Sequence, residues 1–396
     1  MNQLIKKLVE RIDQGTVECD TLEEGDIWAR HGPVVWKANE FKGTPHFYPV
    51  YKFGDFYSHS VLSLILKKGS LNLNGPALKQ VQQSGFFYWS GSETIDMDIR
   101  RLGRAHTTSF KIQNVQEFAE RIAAALIDDI HVIESKNPGY TNVVMCGGKD
   151  SLNLLLLPWK QNTIAASAEP NFELVKQFIE DNNLPYKVLR IEDPHDQRVL
   201  DHEVLEGCCR ADLAHWRWGA HLKKIADEYD KKLIFWKGQV ADLYTSDKWK
   251  VYMHPVRKPE EFARKVYKRL EKPLPFVINQ FIGRRLQPSI IQATWDRSAS
   301  QQGCHVGFIR EITDCLTVSA YHGPAMIKVW SEVDLGAVAQ RDMRHLVGRI
   351  LLGRDVVYPK INPSPGLSKI RQGVYQPQRF LDALKEGGIK VNSDCD

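Results

Sequence analysis

"TNVVMCGGKDSLNLLLLPW" occupies residues 141–159. An apolar run ending at Met145 stops at Cys146-Gly147-Gly148-Lys149-Asp150-Ser151, and a second apolar run continues to Pro158. The first run reads as a short buried strand. The second starts as a helix and is stopped by the proline, which cannot continue the hydrogen-bond ladder. A turn between a strand and a helix presents free backbone N–H groups and the positive end of the helix dipole to an anion. Glycine lets the backbone come close to such a group.

Working outward, the grammar repeats. "NTIAASAE" is a second strand, "NFELVKQFIEDNN" a helix with Phe172, Val175, Phe178 and Ile179 on one face, and "YKVLRI" a third strand. "ADLAHWRWGAHLKKIADEYD" is a helix and "KKLIFWKG" a fourth strand. Strands alternating with helices imply a parallel sheet covered on both faces, with ligands at the carboxyl ends of the strands. The expected fold class is therefore α/β, a doubly wound parallel sheet. Upstream, residues 115–136 place Phe118, Ile122, Leu126, Ile130 and Ile133 on one stripe of a long amphipathic helix. Residues 1–110 open with an amphipathic helix. Short aromatic runs bounded by glycine and asparagine then predict antiparallel strands and hairpins, a mostly β (α+β) first domain. The boundary falls near 110, leaving 111–396 as the second domain. After residue 255 the chain reads as mainly helical: a basic helix over 257–272, a helix over 334–352, a polar loop "VVYPKINPSPGLSKIRQGVY" and a last helix in "QPQRFLDALKEGG".

The bulk numbers fit two domains. The chain has 396 residues, and 43% hydrophobic with 26% charged residues is ordinary for a globular protein. A net charge of +5 from 53 basic and 48 acidic residues is mild and does not call for nucleic acid. The seven cysteines form no C-x-x-C pair, which argues against a zinc knuckle and for reduced thiols in the cytoplasm. No run approaches the length of a membrane span.

The glycine loop is not a Walker A motif: Val143 and Asp150 stand where that motif needs a glycine and a Ser/Thr. Nor is it G-x-G-x-x-G. An aspartate beside a phosphate makes sense with a metal between them, and Mg²⁺ is usually held by one or two carboxylates plus phosphate oxygens. CGGKDS resembles the S-G-G-x-D-S pyrophosphate loop of the PP-loop ATP pyrophosphatases, which cleave ATP between the α- and β-phosphates. The wider pattern resembles the asparagine synthetase-like amide-forming branch. That branch carries G-x-G-A-D-E-x-F on a later strand. In "KGQVADLY", Gly238, Ala241, Asp242 and the aromatic Tyr244 match, while Val240 and Leu243 replace a glycine and a glutamate. A late loop of that branch carries a basic residue, matched by Lys360, with Tyr358 where its arginine would be. "ALKQVQQSGFFYWSGSETIDMDIRRLGRAH" is similar to the end of that branch's glutaminase domain. The N-terminal cysteine such a domain needs is absent, since residue 2 is Asn2 and the first cysteine is Cys19.

This resemblance implies a degenerate glutaminase-like domain followed by an ATP-binding synthetase domain. Cys146, Gly147, Gly148, Lys149, Asp150, Ser151 and Gly238 would bind ATP and its pyrophosphate. Asp150 and Asp242 would hold Mg²⁺, and Lys360 would stabilise charge as an amine attacks an acyl-adenylate. The substrates would be a small-molecule or peptide carboxylate and an amine, with a partner protein or precursor peptide as a further expectation. Two alternatives share the loop: a nucleobase- or tRNA-modifying enzyme similar to 7-cyano-7-deazaguanine synthase, and a nucleotide-binding partner without activity. The bland readings are a plain strand-to-helix turn for the loop, a tolerated serine replacement for Cys146, and surface residues at Asp242 and Lys360. Asp212, His215 and Arg217 read as a solvated polar face.

Overall fold

The computed structural model describes residues 1–30, 35–42, 50–78, 94–102, 109, 111–192, 201, 204–205, 209, 218–238, 241, 245, 306, 309–338, 342–360 and 376–392. The basic helix expected over 257–272, the expected polar face at 212–217 and most of the late loop lie outside them.

The chain opens with α1 (Asn2–Gln14), which buries Ile5, Leu8 and Ile12 at helical spacing. β1 (Val17–Glu23) leads through the short α2 (Glu24–Trp28) to β2 (Trp36–Lys42). β3 (Tyr51–Phe53) and β4 (Phe56–Ser58) form a hairpin across Gly54. α3 (Val61–Lys68) is capped by Ser60, whose hydroxyl accepts from the Ser63 amide, and it ends at the left-handed Gly69. β5 (Ser70–Asn72) and β6 (Arg100–Arg101) complete this region. Its main sheet runs β1-β2-β4-β3-β6. One hairpin, β3–β4, is present among the described residues, but the expectation of antiparallel strands fails at β1 and β2, which pair in parallel. α2 makes the difference: a helical crossover lets the second strand return in the same direction, which a tight turn cannot do.

The second layer begins with α4 (Val115–Lys136), where Asn114 accepts from the amides of Gln116 and Glu117. All five apolar positions of the expected stripe are buried. There follow β7 (Thr141–Met145), a 3₁₀ helix (Lys149–Leu156), β8 (Thr163–Ala168), α5 (Phe172–Asp181), β9 (Val188–Ile191), α6 (Gly219–Glu228), β10 (Leu233–Lys237) and β11 (Leu316–Ser319). Next come α7 (Pro324–Glu332), α8 (Leu335–Val338) and α9 (Met343–Leu352). The single helix expected over 334–352 is thus two described helices, and the helix expected after the glycine loop has 3₁₀ geometry.

The five strands form one sheet in the order β11-β10-β7-β8-β9, every described pairing being parallel. β8, β10 and β11 are buried along their whole length, as parallel strands under helices must be. One face packs Val144, Ala165, Ile234, Trp236, Leu316 and Val318 against α4, α5, α7 and α9. The other packs Val143, Met145, Ala166, Leu233 and Phe235 against α6 and the helical residues 309–312. The mixed α/β class with a parallel sheet is therefore as the sequence implies.

Two buried polar side chains tie elements together. The Arg310 side chain, 1% exposed, donates to the carbonyls of Thr317 (2.8 Å), Ile27 (3.0 Å) and Trp28 (2.6 Å), linking the β11 edge to the end of α2. Asp129 of α4 is buried and accepts from the amides of Ala325 (3.0 Å) and Met326 (3.1 Å) in the first turn of α7. Finally α10 (Pro377–Glu386) and β12 (Lys390–Asn392) return to the first layer. β12 pairs in parallel with β5, and Phe380, Ala383 and Leu384 share a core with Ile5, Leu8, Ile65 and Leu66.

Candidate functional site

β7 is central, with β8 on one side and β10 on the other. The chain moves outward from β7 through β8 to β9, then crosses back to β10. The order reverses between β7 and β10, and a crevice at the carboxyl ends of strands flanking such a reversal is where parallel sheets bind ligands. The glycine loop leaves β7 and Gly238 leaves β10 at that point.

The loop's hydrogen bonds are one-sided. The Cys146 carbonyl accepts from the Ser167 hydroxyl at 2.6 Å, the Gly147 carbonyl from the Asn171 side-chain amide at 3.0 Å, and the Gly148 carbonyl from the Ser151 hydroxyl at 3.0 Å. The Cys146 amide donates to Ala166 at 2.7 Å. Among the described residues, the amides of Gly147, Gly148 and Lys149 have no protein acceptor. The carbonyls are thus tied to the protein while successive donors are left for an anion.

Gly148 has φ 152° and ψ −166°, a region open essentially only to glycine. Gly147 is exposed, and a Cβ there would lie 3.9 Å from the Trp218 ring, an ordinary contact. The two glycines should therefore respond differently. Gly148→Ala is expected to lower stability by about 1–3 kcal/mol through backbone strain alone. Gly147→Ala should melt like wild type and bind phosphate compounds more weakly. Thermal melts of both variants separate these outcomes, and equal melting would contradict the backbone assignment.

Cys146 sits in the core below the loop, and burial pushes its thiol up to about 12. It stays protonated at neutral pH and offers no thiolate nucleophile. Ser151 is buried with its hydroxyl on Gly148. Lys149 and Lys360, far apart in sequence, come together: the Lys149 ammonium donates to the Lys360 carbonyl at 3.1 Å. Tyr358 fixes this approach. Its hydroxyl lies 2.5 Å from Asn153 Oδ1 of the 3₁₀ helix and 3.1 Å from the Arg344 carbonyl, and its ring packs 4.4 Å from His345. Burial raises the Tyr358 phenol above its ordinary value and lowers the His345 imidazole. Tyr358 therefore locks the late segment onto the glycine-loop element. The Lys360 side chain itself is exposed.

Gly238 starts a turn in which its carbonyl accepts from the Ala241 amide at 3.3 Å, and Ala241 is buried. Asp242, with Val240, Leu243 and Tyr244, lies outside the described residues, as does the carboxylate of Asp150. Among the described residues no group of three or more His, Cys, Asp or Glu could hold a metal. Nor is any described helix long and apolar enough to cross a membrane.

One residue escaped the sequence reading. Lys237, the last residue of β10, is only 4% exposed, and its Nζ has no hydrogen-bond partner among the described residues. The signal was a lysine closing the apolar run "LIFWK", a position that both faces of a parallel sheet should bury. No known family model matches the chain, and no curated protein matches it in sequence.

Proposed function

We propose that the chain is an ATP-dependent carbon–nitrogen ligase that activates a carboxylate as its adenylate. The observation that carries this reading is the loop at the strand reversal, with its carbonyls tied to Ser167, Asn171 and Ser151 and the amides of Gly147, Gly148 and Lys149 without an acceptor among the described residues. Such a cradle suits a pyrophosphate bound through backbone N–H groups. The sequence pattern CGGKDS with a later VADLY adds the resemblance to the asparagine synthetase-like PP-loop enzymes.

In this reading a substrate carboxylate oxygen attacks the α-phosphorus of ATP. The bond from the α-phosphorus to the bridging oxygen breaks, and pyrophosphate leaves. An amine nitrogen then attacks the acyl carbon, AMP departs, and the amine loses a proton as the amide or lactam forms. The amides of Gly147, Gly148 and Lys149 hold the pyrophosphate, Ser151 holds the Gly148 carbonyl in place, and Lys149 and Lys360 supply positive charge near it. Asp150 and Asp242 would hold Mg²⁺, which neutralises phosphate charge. The first domain would serve structure or docking.

Exchange of labelled pyrophosphate into ATP, run with candidate carboxylic acids and Mg²⁺, tests the reading. Wild type should exchange and Asp150→Ala should not. Unchanged exchange in that variant would sink the metal assignment. ATP binding without exchange, for every acid offered, would favour a nucleotide-binding partner. Exchange that requires a nucleobase would favour the modification enzymes.

A further inference from the structure

Lys237 combines three facts that do not belong together in a purely structural residue. It ends a strand at the reversal point: its register partners are Met145, the residue before Cys146, and Ser319, the last residue of β11. By strand alternation its side chain shares the face of Leu233 and Phe235. The apolar side chains packed on that face are Trp218 before α6, Leu222, Ile225 and Ala226 of α6, and Ile309 and Ile312. Of the two buried charged residues between the last two, Arg310 donates to the carbonyls of Thr317, Ile27 and Trp28, and Glu311 is no hydrogen-bond partner of Lys237. Its amine is buried with no hydrogen-bond or ion-pair partner among the described residues. Burying an ammonium without a countercharge is strongly unfavourable, and a methionine or leucine of similar length would avoid that cost.

We propose that Lys237 is a phosphate-recognition residue of the crevice between β7 and β10, and that its countercharge is the pyrophosphate portion of bound ATP. The inference rests on the nucleotide reading above and adds a buried charged side chain, besides the exposed Lys360 and the partly buried Lys149, to the backbone amides of the cradle. Gly147 and Gly148 follow Met145 by two and three residues, so the amine and the free amides belong to adjacent strand ends of one crevice. Burial lowers the amine to about 7, so much of the unliganded protein carries it neutral and a phosphate oxygen restores its charge. A charge-assisted contact in a dry site is stronger than one on the surface.

Calorimetric titration of the full chain with inorganic pyrophosphate, ATP and AMP, all with Mg²⁺, tests this in wild type, Lys237→Met and Lys237→Gln. Both variants should melt at or above the wild-type temperature and bind AMP as wild type does. Pyrophosphate and ATP should bind about tenfold or more weakly, the loss of one charged contact. Wild-type pyrophosphate affinity in both variants overturns the role of Lys237 and leaves the nucleotide reading standing. Equal losses for AMP and pyrophosphate, or failure of both variants to fold, overturn it in favour of a structural amine. If wild type binds neither ATP nor pyrophosphate, the nucleotide reading itself falls and this inference falls with it.

Discussion

Arg310→Leu is expected to lower stability by about 3–5 kcal/mol, among the largest losses a single substitution causes. The guanidinium is fully buried and serves three carbonyls on two separate parts of the chain, Thr317 in β11 and Ile27 and Trp28 at the end of α2. A leucine fills part of the volume but leaves those carbonyls without this donor in a site water does not reach. Arg310→Lys should recover only a fraction, because one ammonium cannot match the spread of a planar fork of donors. Denaturant unfolding followed by tryptophan fluorescence would read the effect. A leucine variant within about 1 kcal/mol of wild type would show that these contacts are incidental.

Asp129→Asn should reverse its effect with pH. Burial raises the Asp129 carboxyl to about 7 against an ordinary 3.8, outweighing the two backbone amides of α7 that favour the charged form. The folded protein therefore binds a proton more tightly than the unfolded chain between those values. Stability from this group is fully present below about pH 4 and is lost as pH rises through about 7, on the order of 4 kcal/mol if nothing else titrates. Asparagine keeps one acceptor for the helix end and cannot ionise. The variant should match or trail wild type at pH 5 and melt higher at pH 8. The same difference in melting temperature at both pH values would mean that Asp129 does not ionise in the folded protein. Gly323 helps make the site unforgiving, since a Cβ there would overlap the Asp129 carboxylate.

The sheet was legible where apolar residues run in short blocks between turn signals. β7, β8, β9 and β10 stand where the runs TNVVM, TIAASA, VLRI and LIFWK stand, and α4 follows its stripe of five apolar residues. β11 was not legible. Its four residues, Leu316–Ser319, follow the helical residues 309–313 after only Asp314 and Cys315, with no glycine or proline to mark the change. The parallel pairing of β1 and β2 was hidden because α2 is only five residues long. At the site, the loop could be read because strand, glycines and polar residues are contiguous. The approach of Lys149 to Lys360 depends on Tyr358 packing on Phe178 and His345, which no local pattern encodes. Lys237 could have been noticed as a charge in a run that should be buried, but its lack of a partner is a tertiary fact.

The pairing of β12 with β5 sets an order of events during synthesis. Residues 390–392 complete a sheet begun by residues 70–72, and Phe380 and Leu384 close a core begun by Ile5 and Leu8. A ribosome emits the early partners long before the late ones, so the first layer must wait with apolar surface uncovered while the parallel sheet assembles. A nascent chain halted at residue 370 would carry an open core around Ile5, Leu62 and Ile65. The last segment thus covers that surface only once nearly the whole chain has been made.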